Sequence, residues 1–205
     1  MKIIVGLGNP GRQYAGTRHN VGWRLLDALA VRLGLAGEAS DFDRLSRQRF
    51  QALTLDASVE LAAGGSQKVL LLKPQTYMNL SGQAVAAAAN FYQVPPEHLL
   101  VVLDDMALPA GRLRLRAGGS HGGHNGLRDI ERALGTSQYA RLRLGIGAAP
   151  PGVAWQDYVL APLTRQQQHE LEPAVERGVA AACTWLQDGI VAAMNRFNVK
   201  ETDET

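Results

Sequence analysis

The chain is short of several residue types, and each shortage excludes something. It has one cysteine, Cys183, in 205 residues, so no disulfide can form within it and a disulfide-held scaffold is excluded. Cys183 sits in the alanine-rich run AVERGVAAACTWLQ with no obvious activator close in sequence, and reads as a packing residue. Long apolar runs are also missing. None approaches the roughly 18 residues needed to span a bilayer. The apolar stretch after Lys2 is too short for a signal peptide and meets Gly8-Asn9-Pro10 at once. A cytoplasmic protein with no membrane partner is expected. Repeats and low-complexity linkers are absent, so the chain reads as one domain, residues 1–198, followed by a flexible acidic tail, 199–205. Acids are scarce in one place above all. Residues 106–150 carry seven arginines (112, 114, 116, 128, 132, 141 and 143) against Asp129 and Glu131, a local charge of +5 inside a chain whose net charge is +2.

What is present is an alternation of strand and helix patterns. Met1–Gly8 reads as a buried strand, and Asn20–Leu33 as a helix with apolar residues at Leu25, Leu26, Leu29 and Leu33, stopped by Gly34. Ala36–Phe42 reads as loop. Arg49–Leu55, Val59–Ala63 and Lys68–Lys73 read as three strands, with Gly64-Gly65 as the turn between the last two. Ser81 is placed to cap a helix running to Tyr92, ended by Pro95-Pro96. Leu99–Leu103 is wholly apolar, as in a sheet covered on both faces. Arg112–Arg116 and Arg141–Ile146 alternate as strands around a helix at Gly126–Leu134. A long helix follows the N-cap Thr164, and a last short one covers Gly189–Phe197. The expected fold is a single α/β domain with a twisted mixed β-sheet flanked by helices.

Four segments carry the chemistry. Gly6-Leu7-Gly8-Asn9-Pro10-Gly11 matches the dinucleotide fingerprint in letters, but that motif needs a helix to open at once onto a pyrophosphate. Here Pro10, Gly11 and Gly16 keep the chain irregular until His19, so the glycines are better read as letting the chain turn and aim Asn9 into a cleft. His19, at a helix start, is the candidate base, since an imidazole can take a proton from water near neutral pH. Asp104-Asp105 closes an apolar strand, where α/β proteins place their sites, and a carboxylate there can fix the tautomer of an imidazole. Ser120-His121-Gly122-Gly123-His124-Asn125-Gly126 offers two histidines but no cysteine or acid close in sequence to complete a zinc set. Its glycines suit close approach of a substrate backbone, and Asn125 with the helix behind it suits a developing oxyanion. The alternating arginines place guanidinium groups on one strand face without interleaved acids, the pattern of a phosphate track rather than a solvated sheet face.

These segments together closely resemble the bacterial peptidyl-tRNA hydrolase family, through IVGLGNPGRQYAGTRHNVG, KPQTYMNLSG, LLVVLDDMALPAGRLRLRAGGSHGGHNGLRDI and YARLRLGIG. The likeness runs over most of residues 1 to about 160, with a weaker helical match beyond. It implies cleavage of the ester joining a peptide to the terminal ribose of tRNA, freeing tRNA from prematurely released chains. By position it implies His19 as catalytic base and Asp104 as its partner. Asn9 and Asn79 would place peptide and water, Met78 would form the wall beside them, and Asn125 would contact the substrate carbonyl with His124 beside it. Tyr14 and Asn20 would lie near the tRNA end, and Arg114, Arg116 and Arg143 would hold phosphates. It implies a water-mediated reaction with no covalent intermediate, no cofactor and no metal. The expected partner is peptidyl-tRNA, with no DNA, and the expected state a monomer. Asp105-Met106-Ala107 and Ser120 depart from the family pattern, and residues 36–48 fit no motif. The 148–160 segment, beside the arginine strands, is a candidate lid. The rival readings are a nucleotide-dependent oxidoreductase and a non-catalytic RNA binder.

Overall fold

The computed structural model describes residues 1–199, so the expected acidic tail lies, from residue 200 on, outside the described residues. A seven-stranded mixed sheet has the order β2-β3-β4-β1-β5-β7-β6. Its strands are β1 Lys2–Gly6, β2 Arg47–Arg49, β3 Ala52–Glu60, β4 Ser66–Pro74, β5 Leu99–Asp105, β6 Leu113–Arg116 and β7 Ala140–Gly145. The central strands β4, β1, β5 and β7 are parallel, while β2, β3 and β6 join antiparallel at the two edges. The helices are α1 Val21–Arg32, α2 Asp41–Leu45, α3 Ser81–Tyr92, α4 Asn125–Leu134, α5 Trp155–Leu160 and α6 Arg165–Phe197.

Side chains that alternate along a strand feed two separate cores. Ile4, Leu71, Leu100 and Val102 pack on one face with α1 and α6. Ile3, Val5, Leu70, Leu72, Val101 and Leu103 pack on the other with α3 and α4. With both faces covered, the central strands need an unbroken apolar run, which explains LLVVL at the start of β5. Each such Leu, Ile or Val contributes about 1.5–3 kcal/mol by its burial.

The expected strands at Arg49–Leu55 and Val59–Ala63 are instead one strand, β3, preceded by the short β2. The break lies earlier, at Phe50 and Gln51, both at positive φ (55° and 54°). Asp56, Ser58 and Glu60 interrupt the apolar pattern without ending the strand, because β4 pairs with β3 from Ala52 to Glu60. Residues 36–42 are not all loop. Phe42 opens into α2 and is fully buried, beneath Lys73. Ser81 does not cap α3 either. It is the first helical residue, its hydroxyl donating to the Met78 carbonyl. The cap comes from across the helix pair, where the Asp129 carboxylate accepts from Gly82 N–H at 2.8 Å. The end of α3 arrives before the prolines, at Gln93 in the left-handed region. Thr164 does cap α6, in a reciprocal box with Gln167. The helix is broken at Gly189 (φ 83°), where the last short helix was expected. Cys183 lies on α6, half-buried, and burial pushes its thiol pKa up, in keeping with a packing role. Among the described residues no helix is long and apolar enough to cross a membrane.

Candidate active site

The site forms where β1, β4 and β5 end on the same side of the sheet. Close packing at the first turn of α1 brings it together. A Cβ on Gly22 would meet Leu7 N and Val102 O at 2.6 Å, and one on Gly6 would meet Gly22 O at 2.5 Å. The glycines of the GLGNPG segment and of α1 therefore let a helix sit directly on strand ends, which carries His19 against β5. This is their physical role here, rather than a pyrophosphate cradle.

Asn9 leaves β1 and is fixed on two sides. Its N–H donates to Asn20 Oδ1 (2.9 Å) and Asn20 Nδ2 donates back to the Asn9 carbonyl (3.0 Å). Asn9 Oδ1 accepts from Met78 N–H at 2.7 Å, so its NH2 group is the end left for a substrate oxygen. Asn20 is thus buried, with its amide engaged by the Asn9 main chain. Met78 and Asn79 lie in a 3-10 turn between β4 and α3, Met78 buried and Asn79 exposed. Beside them Tyr14 meets Tyr77 edge-on, ring centroids 6.5 Å apart. Tyr77 was not singled out from sequence, although it is 54% exposed and stands between two motif residues.

His19 Nδ1 lies 2.8 Å from Asp104 Oδ1, and His124 Nε2 lies 3.1 Å from the same oxygen. Burial pushes the Asp104 pKa up. Electrostatic attraction to His19, the hydrogen bonds of both imidazoles and a smaller attraction to His124 outweigh it, and hold the carboxyl well below the usual range. An ionised carboxylate only accepts, so both facing ring nitrogens carry the protons. His124 Nδ1 in turn accepts from Leu127 N–H at 3.4 Å, capping α4. That fixes the orientation and tautomer of His124. It leaves His19 Nε2 as a basic nitrogen with no hydrogen bond to another described residue. The two rings are 5.2 Å apart. Donor atoms of His19, Asp104 and His124 lie within 4.8 Å of one another, so the acid missing from the sequence neighbourhood of the histidines is supplied by the fold. A metal ion there would have to displace both ring protons.

Asn125 is the first residue of α4 and lines a cavity of about 850 Å³ together with His19, Asp104, His124 and Arg116. Arg114 and Arg116 are exposed on the edge strand β6, which is held by Asn198: its amide accepts from Leu115 N–H (2.8 Å) and donates to Leu115 O (3.0 Å). The arginine stripe is otherwise less regular than its spacing suggests. Arg112 precedes the strand. Arg141, opposite Arg116, is buried and fastened to Ser120 O (2.5 Å), Glu131 (3.0 Å) and Ser137 O (3.2 Å). It braces the glycine-rich loop instead of facing solvent. Arg143, opposite Arg114, is ion-paired with Asp105. Acids that the sequence keeps away from the stripe reach it through the fold, because like charges placed directly opposite on a sheet repel.

The chain matches the family described as peptidyl-tRNA hydrolase over residues 3–205. A Symbiobacterium thermophilum protein named peptidyl-tRNA hydrolase is 50% identical, the match covering 96% of this chain and 98% of its own. One from Desulfitobacterium hafniense is 46% identical, covering 97% and 100%. The crystal structure of peptidyl-tRNA hydrolase from Acinetobacter baumannii superposes with a TM-score of 0.84 at 35% identity, covering 97% of this chain and 95% of that one. With the fold and nearly the whole length in common, the chain belongs to the peptidyl-tRNA hydrolase family of enzymes.

Proposed function

We propose that this enzyme hydrolyses the ester between a peptide and the terminal ribose of tRNA, using a water activated by His19 and no covalent intermediate. The observation that carries the reading is the shared Asp104 oxygen. It orients two imidazoles, and of these His19 alone keeps a basic nitrogen with no hydrogen bond to another described residue. Among the described residues no hydroxyl or thiol is hydrogen-bonded to that ring, which favours water over a side-chain nucleophile. An ester needs no more, since a ribose oxygen leaves more readily than an amine. The Asn9 NH2 group, the Asn125 amide and the N-terminus of α4 would receive the oxyanion, worth about 10²–10³ in rate per donor in comparable sites. Met78 and Asn79 would form the peptide wall, with Asn20 acting through Asn9. Tyr14 would meet the RNA end. Arg114, Arg116 and Arg143 would grip phosphates, which carry no sequence information, as befits a substrate whose RNA and peptide both vary.

The test is release of the blocked amino acid from an N-acetylated aminoacyl-tRNA. Wild-type protein should release it, and acid quenching during turnover should leave no labelled peptide on the protein. His19→Ala should reduce turnover about 10²- to 10⁴-fold with tRNA affinity nearly intact. Retention of most activity would remove His19 from the role of base.

A further inference from the structure

The cavity beside Asp104 has a wall that the assigned residues do not use. Trp155, the first residue of α5, is 39% exposed and lines this cavity with Val159 one turn on. The helix beneath it is held firmly. Arg18 lies with its guanidinium 4.3 Å from the Tyr158 ring centroid and donates to the carbonyls of Tyr158 (3.3 Å) and Ala161 (3.2 Å). Tyr158 OH donates to Ile146 O at 2.7 Å. Arg18 is the neighbour of His19 in the same 3-10 turn, so the indole is registered to the catalytic imidazole through a single buried side chain. In the same cavity Arg116 and Arg128 are exposed, and no carboxylate lies against either among the described residues. A flat apolar ring on a rigid support beside unneutralised guanidiniums is the combination that holds unpaired nucleotides, the ring stacking a base and the cations taking its phosphates. An apolar or basic peptide side chain would gain nothing from the two arginines.

We propose that Trp155 is a stacking platform for an unpaired base at the 3′ end of the RNA, with the flanking phosphates along Arg116 and Arg128. This rests on the reading of the substrate as a tRNA ester. It assigns α5, the last part of the 148–160 segment expected as a lid, the task of holding RNA beside the scissile bond.

Tryptophan fluorescence tests it directly, because Trp185 is 2% exposed in the core, Trp23 is half-buried against Gly8, and Trp155 is the exposed indole. Titration of the full chain with the trinucleotide CCA should give saturable quenching that disappears in Trp155→Phe. Binding of a dye-labelled CCA by anisotropy should be kept within about threefold in Trp155→Phe, where a ring remains, and weakened about 5- to 100-fold in Trp155→Leu. With N-acetylated aminoacyl-tRNA, Trp155→Leu should raise KM more than it lowers kcat. Equal CCA affinity in Trp155→Leu, or quenching by a blocked dipeptide amide but not by CCA, would overturn the proposal. Wild-type protein that binds CCA but releases nothing from the tRNA ester would sink the hydrolase reading and leave the platform standing.

Discussion

At the scale of single residues the decisive feature is one carboxylate oxygen serving two imidazoles. Asp104 is buried, and a buried acid is stable in its charged form only when its lone pairs are met by donors. His19 and His124 supply them, and in doing so lose the freedom to choose a tautomer. Asp104→Asn keeps the size of the side chain, and its amide oxygen can take the place of Oδ1 and accept from both rings, but the charge that would stabilise an imidazolium at His19 is lost. Turnover should fall about 10²- to 10⁴-fold while tRNA affinity changes little. Single-turnover rates with N-acetylated aminoacyl-tRNA would check this, and a loss under about tenfold would mean that the Asp104 charge is not what stabilises the imidazolium. Asn9, His19 and Asp104 were legible in the sequence because each stands at the end of a strand or the start of a helix, where a polar side chain has little else to do. The second bond to Asp104 was not, since His124 comes from a loop whose path depends on tertiary packing. Arg141 was misread for a related reason. Alternation tells which face of a strand a residue is on, not whether a loop covers that face.

Among elements, the site depends on helix starts held from outside themselves. α3 begins without a capping side chain of its own, and the Asp129 carboxylate on α4 binds Gly82 N–H in its place. Removing it in Asp129→Ala would leave a buried donor unpaired, costing about 1–2 kcal/mol. The 3-10 turn carrying Met78 and Asn79 comes immediately before α3 and should loosen with it. Chemical denaturation should show a lower midpoint at unchanged slope, and a change under about 0.3 kcal/mol would show that solvent caps the helix equally well. No local pattern could reveal this cap, because the two residues are 47 positions apart. The edge strand β6 makes a different prediction. Arg114 and Arg116 project from it to solvent, so replacing both with Ala should weaken tRNA binding. It should also flatten the dependence of log K on log salt by about 0.7–0.9 for each phosphate that is no longer neutralised. An unchanged slope, measured at several salt concentrations, would assign the strand another task. The parallel core strands were readable as apolar runs. The β2–β3 hairpin was not, as its turn uses Phe50 and Gln51 at positive φ in place of the Gly or Asn that normally marks such a turn.

At the scale of the whole molecule, the part of the chain that fitted no motif, residues 36–48, proves to tie three elements together beneath the site. Lys73, near the end of β4 and 2% exposed, binds Asp27 of α1 at 2.5 Å and Asp43 of α2 at 3.0 Å, with its ammonium 4.1 Å from the Phe42 ring centroid. Burial pushes the Asp27 carboxyl up to about 6, Lys73 opposing the rise and Asp43 adding to it. A carboxyl raised in the folded state binds its proton more tightly there than in the unfolded chain, where its pKa is about 4. Its contribution to stability is therefore complete below about pH 4 and is lost as pH rises through about 6. Asp104 has the opposite sign. Held below the usual range, it stabilises the fold above about pH 4 and ceases to do so as pH falls toward its folded value. The two titrations occupy different windows, so they can be separated. Asp27→Asn removes only the upper one. Whatever fixed offset the lost ion pair imposes, the melting temperature of Asp27→Asn relative to wild type should climb between pH 4 and pH 7 and level off above. A difference that stays flat across that range would mean that the Asp27 pKa is the same in the fold as in the unfolded chain, Lys73 offsetting burial in full.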